Sequence, residues 1–221
     1  KHNRIIHICR DDARMDDLEG YVRFFAPGLE ILKIPAWDCL PYDRVSPNSG
    51  ITSQRCFALS RIAELDVAHT CLILITVNAY LQRLPPLSFF KGMSVNLKLN
   101  KSYPLSELLH TLENGGYFRT DTVREAGEFA VRGGIIDIYP AGRDEPLRLD
   151  FFGDELESVK RFDPITQRSI DSIEAAKLSP VAEIILNSES INRFKSSYRE
   201  AFGAKASNDQ IYQTIAEGRY Y

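Results

Sequence analysis

A chain of 221 residues with 44% hydrophobic and 26% charged side chains has an ordinary globular composition, which excludes a disordered segment and allows one large domain or two small ones. Its 27 basic and 30 acidic residues give a formal charge of -3, so overall electrostatics give no reason to expect tight nucleic-acid binding. No apolar run approaches the roughly 20 residues of a membrane span, and the opening has no signal-peptide core, so a cytoplasmic protein with no membrane contact is expected.

Residues 4–9 are apolar and β-favouring, and Met15, Leu18, Val22 and Phe25 then recur at helical spacing until Pro27-Gly28 stops the pattern. A second strand is expected at Leu29–Ile34, followed by a loop rich in Pro, Asn and Ser. Next comes a helix over about 52–65 that buries Cys56, Leu59 and Ile62 or Ala63. The unbroken apolar run Cys71–Thr76 has the length of a fully buried parallel strand. A short helix over 78–84 ends at Pro85-Pro86. Strands alternating with helices predict a parallel α/β sheet covered on both faces.

Near residue 92 the pattern changes. Residues 94–99 alternate as a strand, and Leu105, Leu108, Leu109 and Leu112 mark one face of a helix that Gly115-Gly116 caps. From Glu128 to about Leu178 the chain is β-rich and reads as an antiparallel meander, and two helices are expected at 188–202 and 208–217. Domain borders fall near 92 and 180. Four scattered cysteines, Cys9, Cys39, Cys56 and Cys71, form no CxxC pair and are expected to be buried thiols, not metal ligands. The first residue is not Met, and the chain reads as a piece of a longer protein. A monomer is expected.

The most informative segment is Pro146–Phe162, with Gly153-Asp154 as a two-residue hairpin turn. Alternation sends Leu147, Leu149 and Phe151 to the core and Arg148, Asp150 and Phe152 to the other face. Across a regular hairpin Phe152 lies opposite Glu155, Asp150 opposite Glu157 and Arg148 opposite Val159. An Arg beside an exposed Phe is a combination that protein interfaces use as an anchor. On the residues alone, a solvated face with Arg148 paired to Asp150 or Glu157 is the commoner meaning of such a pattern. Upstream, Gly133-Gly134 precedes the strand Ile135–Tyr139; either a bulge or close backbone approach there aims Arg132 at the same face, or the glycines form a plain turn.

Three runs are then familiar together: Glu128–Gly142, Leu147–Glu155 and Phe162-Asp-Pro-Ile-Thr-Gln-Arg168. They resemble the family shared by the excision-repair protein UvrB and the transcription-repair-coupling factors. The run Ile34–Pro47, with Trp37 and Tyr42, followed by Ser53-Gln54-Arg55, is similar to the coupling-factor branch. The resemblance implies an α/β fold in which residues 1–92 begin a degenerate RecA-like parallel-sheet domain. Residues 93–179 would be an inserted α+β domain containing the meander, and 180–221 a helical return into the first region. It implies UvrA as partner, contacted by Arg132, Arg148 and Phe152 with Asp150, Gly133 and Gly134 in support. For a whole coupling factor it implies an ATP-driven DNA translocase acting on RNA polymerase and double-stranded DNA through other domains, which would use ATP and magnesium. It further implies a carboxy-terminal domain that covers the docking face until activation. No GxxxxGK[ST] occurs in the chain, so no nucleotide cofactor is expected here. Where UvrB carries a tyrosine-rich hairpin, this sequence has a short Pro-rich loop with Tyr42.

Two other classes compete. An enzyme would have to work with histidines only at 2, 7, 69 and 110, with no HExxH or GxSxG, and Asp137, Asp150, Asp154 and Glu155 read as hairpin acids. A UvrB-type damage-binding or other nucleic-acid-binding module would have to work through segment 117–161, which holds seven basic against ten acidic residues. Trp37 and Tyr42 are candidates for base stacking, but beside Pro35 and Pro41 they are expected to pack their loop on the sheet. Recruitment of UvrA without catalysis is the function expected. Replacing Arg148 by an acid should then cost about 2–5 kcal/mol of binding while leaving the fold nearly intact.

Overall fold

The computed structural model describes residues 3–40, 45–66 and 68–219; Tyr42 and His2 lie outside the described residues. The fold is mixed α/β with both parallel and antiparallel sheets. Two units emerge from the contacts: residues 1–38 with 48–183, and residues 39–47 with 184–221.

In the first unit, strands β1 (Arg4–Cys9), β2 (Glu30–Ile34) and β3 (Cys71–Thr76) form a parallel sheet in the order β1-β3-β2. The run Cys71–Thr76 is buried at every position, as a central strand between two covered faces requires. Helix α1 (Asp12–Phe25) covers one face through Met15, Leu18 and Val22, which pack with Cys9, Leu72 and Leu74. Phe25 was expected to continue this stripe, but it is exposed together with Phe24. Helix α2 (Ser49–Glu64) covers the other face, burying Cys56 and Leu59 against Leu32, Ile34, Ile73 and Ile75. Two short helices follow, α3 (Val77–Leu81) and α4 (Leu87–Phe90). Cys9, Cys56 and Cys71 are buried, whereas Cys39 is half-exposed.

Strand β4 (Val95–Lys98) leads to helix α5 (Leu105–Asn114), which buries Leu108 and Leu112. A six-stranded sheet follows: β5 (Phe118–Arg119), β6 (Glu128–Arg132), β7 (Ile135–Ile138), β8 (Leu147–Phe152), β9 (Glu155–Phe162) and β10 (Ser169–Ser172), in the order β10-β9-β8-β7-β6-β5. β6 to β10 are the expected antiparallel meander, while β5 runs parallel to β6. The expected last strand of the meander, β11 (Ala175–Leu178), instead pairs antiparallel with β4. That pairing carries Leu97, Ala176 and Leu178 into the core formed by Leu108, Leu112, Phe129, Ile136, Leu147 and Leu149. Phe57 of α2 packs against this core and against that of the parallel sheet. Its ring lies where a Cβ on Gly142 would stand, 2.2 Å from Cγ, and Gly142 has φ +70°, so only glycine fits there.

A charged network is enclosed in this unit. Arg55 is fully buried; its Nε donates to Glu183 Oε1 at 2.5 Å and its Nη2 to Oε2 at 3.2 Å. Its Nη1 donates to the Pro35 carbonyl at 2.5 Å and to Gln82 Oε1 at 3.1 Å. Trp37 Nε1 donates to Glu183 Oε1 at 3.1 Å, and the guanidinium lies 5.2 Å from the Trp37 ring. Trp37 is thereby engaged within the protein. The sequence around Trp37 and Arg55 therefore has a structural reason: three chain segments meet on one buried guanidinium.

The second unit is helical among its described residues. α6 (Ser188–Phe202) starts with a capping box in which Asn187 accepts from the Ser190 N–H. A 3-10 turn at Gly203–Asn208 and α7 (Gln210–Ala216) follow. Phe194, Tyr198, Phe202 and Tyr212 pack as mutually tilted rings with centroids 4.5–6.0 Å apart. No helix among the described residues is long and apolar enough to cross a membrane.

Candidate functional site: the outer face of the meander

Strand β8 alternates as its sequence predicts: Leu147, Leu149 and Phe151 are buried, Arg148 and Asp150 are half-buried, and Phe152 is exposed. Two turns set the face. Gly153 opens the β8–β9 turn with φ +62°, and Gly133 opens the β6–β7 turn with φ +63°, each a positive φ at the first central position of a two-residue hairpin turn. Gly134 allows a close approach, since a Cβ there would stand 2.5 Å from the Phe151 carbonyl oxygen. The two glycines are thus a tight turn passing close beside β8, and no side chain on that turn flanks Phe152.

The register differs from that of a regular hairpin. Phe152 lies opposite Glu155 as expected, but Asp150 lies opposite Ser158 and Arg148 opposite Lys160, because a bulge falls between Asp150 and Phe151. The cause is the spacing of the apolar residues on β9. Leu156 and Val159 are both buried, and three residues apart they can share a face only if the strand takes up one extra residue.

Two rows cross the outer face: Ala130, Asp137, Arg148 and Lys160 in one, and Arg132, Ile135, Asp150 and Ser158 in the next. Arg148 is neither free nor paired with Asp150 or Glu157. Its Nε and Nη2 donate to Asp137 Oδ1 and Oδ2 at 2.7 and 2.9 Å, a bidentate grip, and the guanidinium lies 4.8 Å from the Phe162 ring. Asp137 is buried, and its hydrogen bonds raise the Arg148 pKa above the usual guanidinium value. About a quarter of the Arg148 side chain, 23%, reaches solvent. Arg132 is half open, with Nη2 donating to the Asp121 carbonyl at 2.7 Å and Nη1 3.9 Å from Asp137. Asp150 has no ion-pair partner within 4 Å among the described residues.

Phe152 is the outlier. Its relative exposure is 77%, although burying a side chain of this size is worth about 1.5–3 kcal/mol. The arrangement is an apolar ring at the end of a hairpin, with the Arg148 guanidinium fixed to Asp137 farther along the same face. Geometry of this kind suits protein docking. The importance of Asp137 was missed in the sequence, where it reads as a hairpin acid; a lone carboxylate inside the apolar strand Ile135–Ile138 was the available signal, since such a group needs a partner.

Residues 95–183 match the family described as the UvrB interaction domain. The chain is 35% identical over 188 residues to the transcription-repair-coupling factor of Escherichia coli, covering 85% of this chain and 16% of that protein. Against the transcription-repair-coupling factor of Haemophilus influenzae it is 35% identical over 190 residues, 86% of this chain and 16% of the relative. Against that of Myxococcus xanthus it is 30% identical over 201 residues, 88% and 17% of the two chains. The chain thus spans only 16–17% of the length of these relatives. It is similar to one segment of the transcription-repair-coupling factors, and its residues 95–183 match the UvrB interaction domain.

Proposed function

We propose that this chain is a UvrA-recruiting module: a non-catalytic docking domain that links excision repair to transcription stalled at damage. The observation that carries the reading is Phe152, exposed at the tip of the β8–β9 hairpin within the residues that match the UvrB interaction domain. On this reading Phe152 is the apolar anchor, Arg132 offers its open guanidinium edge, and Arg148 contributes the exposed fraction of a side chain locked to Asp137. Asp150, Gly133 and Gly134 support the face. The parallel-sheet region within residues 1–92 is assigned to a degenerate RecA-like domain, 93–179 to the inserted docking domain and 180–221 to the return. ATP, magnesium, RNA polymerase and double-stranded DNA would be handled by other domains of a longer protein, and a carboxy-terminal domain would cover the docking face. The compartment is proposed to be the cytoplasm.

The test is calorimetric titration of Phe152→Ala and Arg132→Gln against UvrA, beside the unchanged chain. Both positions are exposed, so folding should stay within about 0.5 kcal/mol of the unchanged chain, whereas a lost hot spot costs about 2 kcal/mol or more of binding. Unchanged affinity in both folded variants would remove this face from the recruitment reading.

A further inference from the structure

The run Phe162–Arg168 joins β9 to β10, and the recruitment reading leaves it unused. Part of it has an evident structural role. Phe162 is buried on the outer face with Val123 and Ala130. The Asp163 carboxylate accepts from the N–H groups of Thr166 at 2.6 Å and Ile165 at 3.0 Å, and these bonds hold its pKa below the usual carboxylate value. Gln167, with φ +61°, ties the loop down by donating its side-chain amide to the carbonyls of Val123 at 3.0 Å and Pro164 at 2.7 Å. Its own carbonyl accepts from Arg148 Nη1 at 3.4 Å. The loop is therefore pinned at both ends and fastened to a residue of the docking face.

Two side chains in this fixed loop have no such role. Ile165 is 89% exposed, the highest value among the large hydrophobic residues described. Arg168 is exposed and has no acidic partner within 4 Å among the described residues. Solvent exposure of a β-branched apolar side chain on a restrained loop is a pre-organised contact, since little conformational freedom remains to be lost on binding.

Resting on the recruitment reading, we propose that the β9–β10 loop is a second contact arm of the docking face. Ile165 enters an apolar recess of UvrA, and Arg168 pairs with an acidic side chain at the rim. The continuity with Arg148 through the Gln167 carbonyl selects UvrA as the occupant, because one partner lying on Phe152 and Arg148 reaches this loop next.

The experiment titrates UvrA with the unchanged chain, Ile165→Ser, Arg168→Glu and, as a control for general stickiness, Phe24→Ser on α1, where the exposed ring lies on a different element. Circular dichroism and thermal unfolding accompany each variant. Ile165→Ser is expected to weaken binding at least tenfold and Arg168→Glu several-fold, with unfolding temperatures unchanged and Phe24→Ser binding like the parent. Affinities for Ile165→Ser and Arg168→Glu within twofold of the parent would overturn the second arm and leave the recruitment reading standing. Equal weakening by Phe24→Ser would overturn it as well, since the effect would then be nonspecific. Absence of binding by the unchanged chain would overturn the recruitment reading and the arm with it.

Discussion

Arg55→Met lowers folding stability by about 3–5 kcal/mol, the usual consequence of leaving one member of a buried ion pair without the other. The remaining Glu183 carboxylate would sit almost fully buried with the Trp37 indole N–H as its only side-chain donor among the described residues. Glu183→Leu alone should cost less, because Arg55 keeps the Pro35 carbonyl and Gln82. The double variant should recover part of the loss, since no buried charge then lacks its counterion. A loss of this size matters against the roughly 5–15 kcal/mol that hold a typical domain together. Urea denaturation of the four proteins gives the coupling directly. Additive single and double effects would contradict the network as drawn, in which Arg55 joins Pro35, Gln82 and Glu183.

Arg148→Glu is expected to unfold or strongly destabilise the first unit, by about 3 kcal/mol or more, since it sets a carboxylate against buried Asp137. This reverses the expectation from alternation alone, in which Arg148 lies on an open face and its replacement spares the fold. Arg148→Glu is therefore a poor probe of docking: lost binding and lost structure would arrive together. Arg148→Gln combined with Asp137→Asn removes both charges and should recover part of the stability. A denaturation midpoint for Arg148→Glu indistinguishable from the parent would contradict the bidentate pair.

Much of the fold was legible because its signals are local. The apolar run Cys71–Thr76 marked the central strand, and Gly153-Asp154 marked the hairpin. The alternation of Leu147–Phe152 correctly sorted the two faces. What escaped depended on partners distant in sequence. Arg148 takes Asp137 across the sheet, and Arg55 takes Glu183 from 128 positions away, neither of which periodicity reports. The β9 bulge is legible in the odd spacing of Leu156 and Val159, which a regular hairpin cannot bury on one face. Likewise β11 looks like one more strand of the meander, and only its pairing with β4 distinguishes it. Phe25 shows the opposite failure, helical spacing without burial.

The most direct test of the central claim is calorimetric titration of the unchanged chain with UvrA from the same organism. The account predicts saturable binding that Phe152→Ala abolishes or weakens by at least about thirtyfold, the equivalent of a hot-spot loss of about 2 kcal/mol, in a variant whose circular dichroism matches the parent. A folded, unchanged chain that gives no heat of binding and no complex on size-exclusion chromatography with UvrA would contradict it.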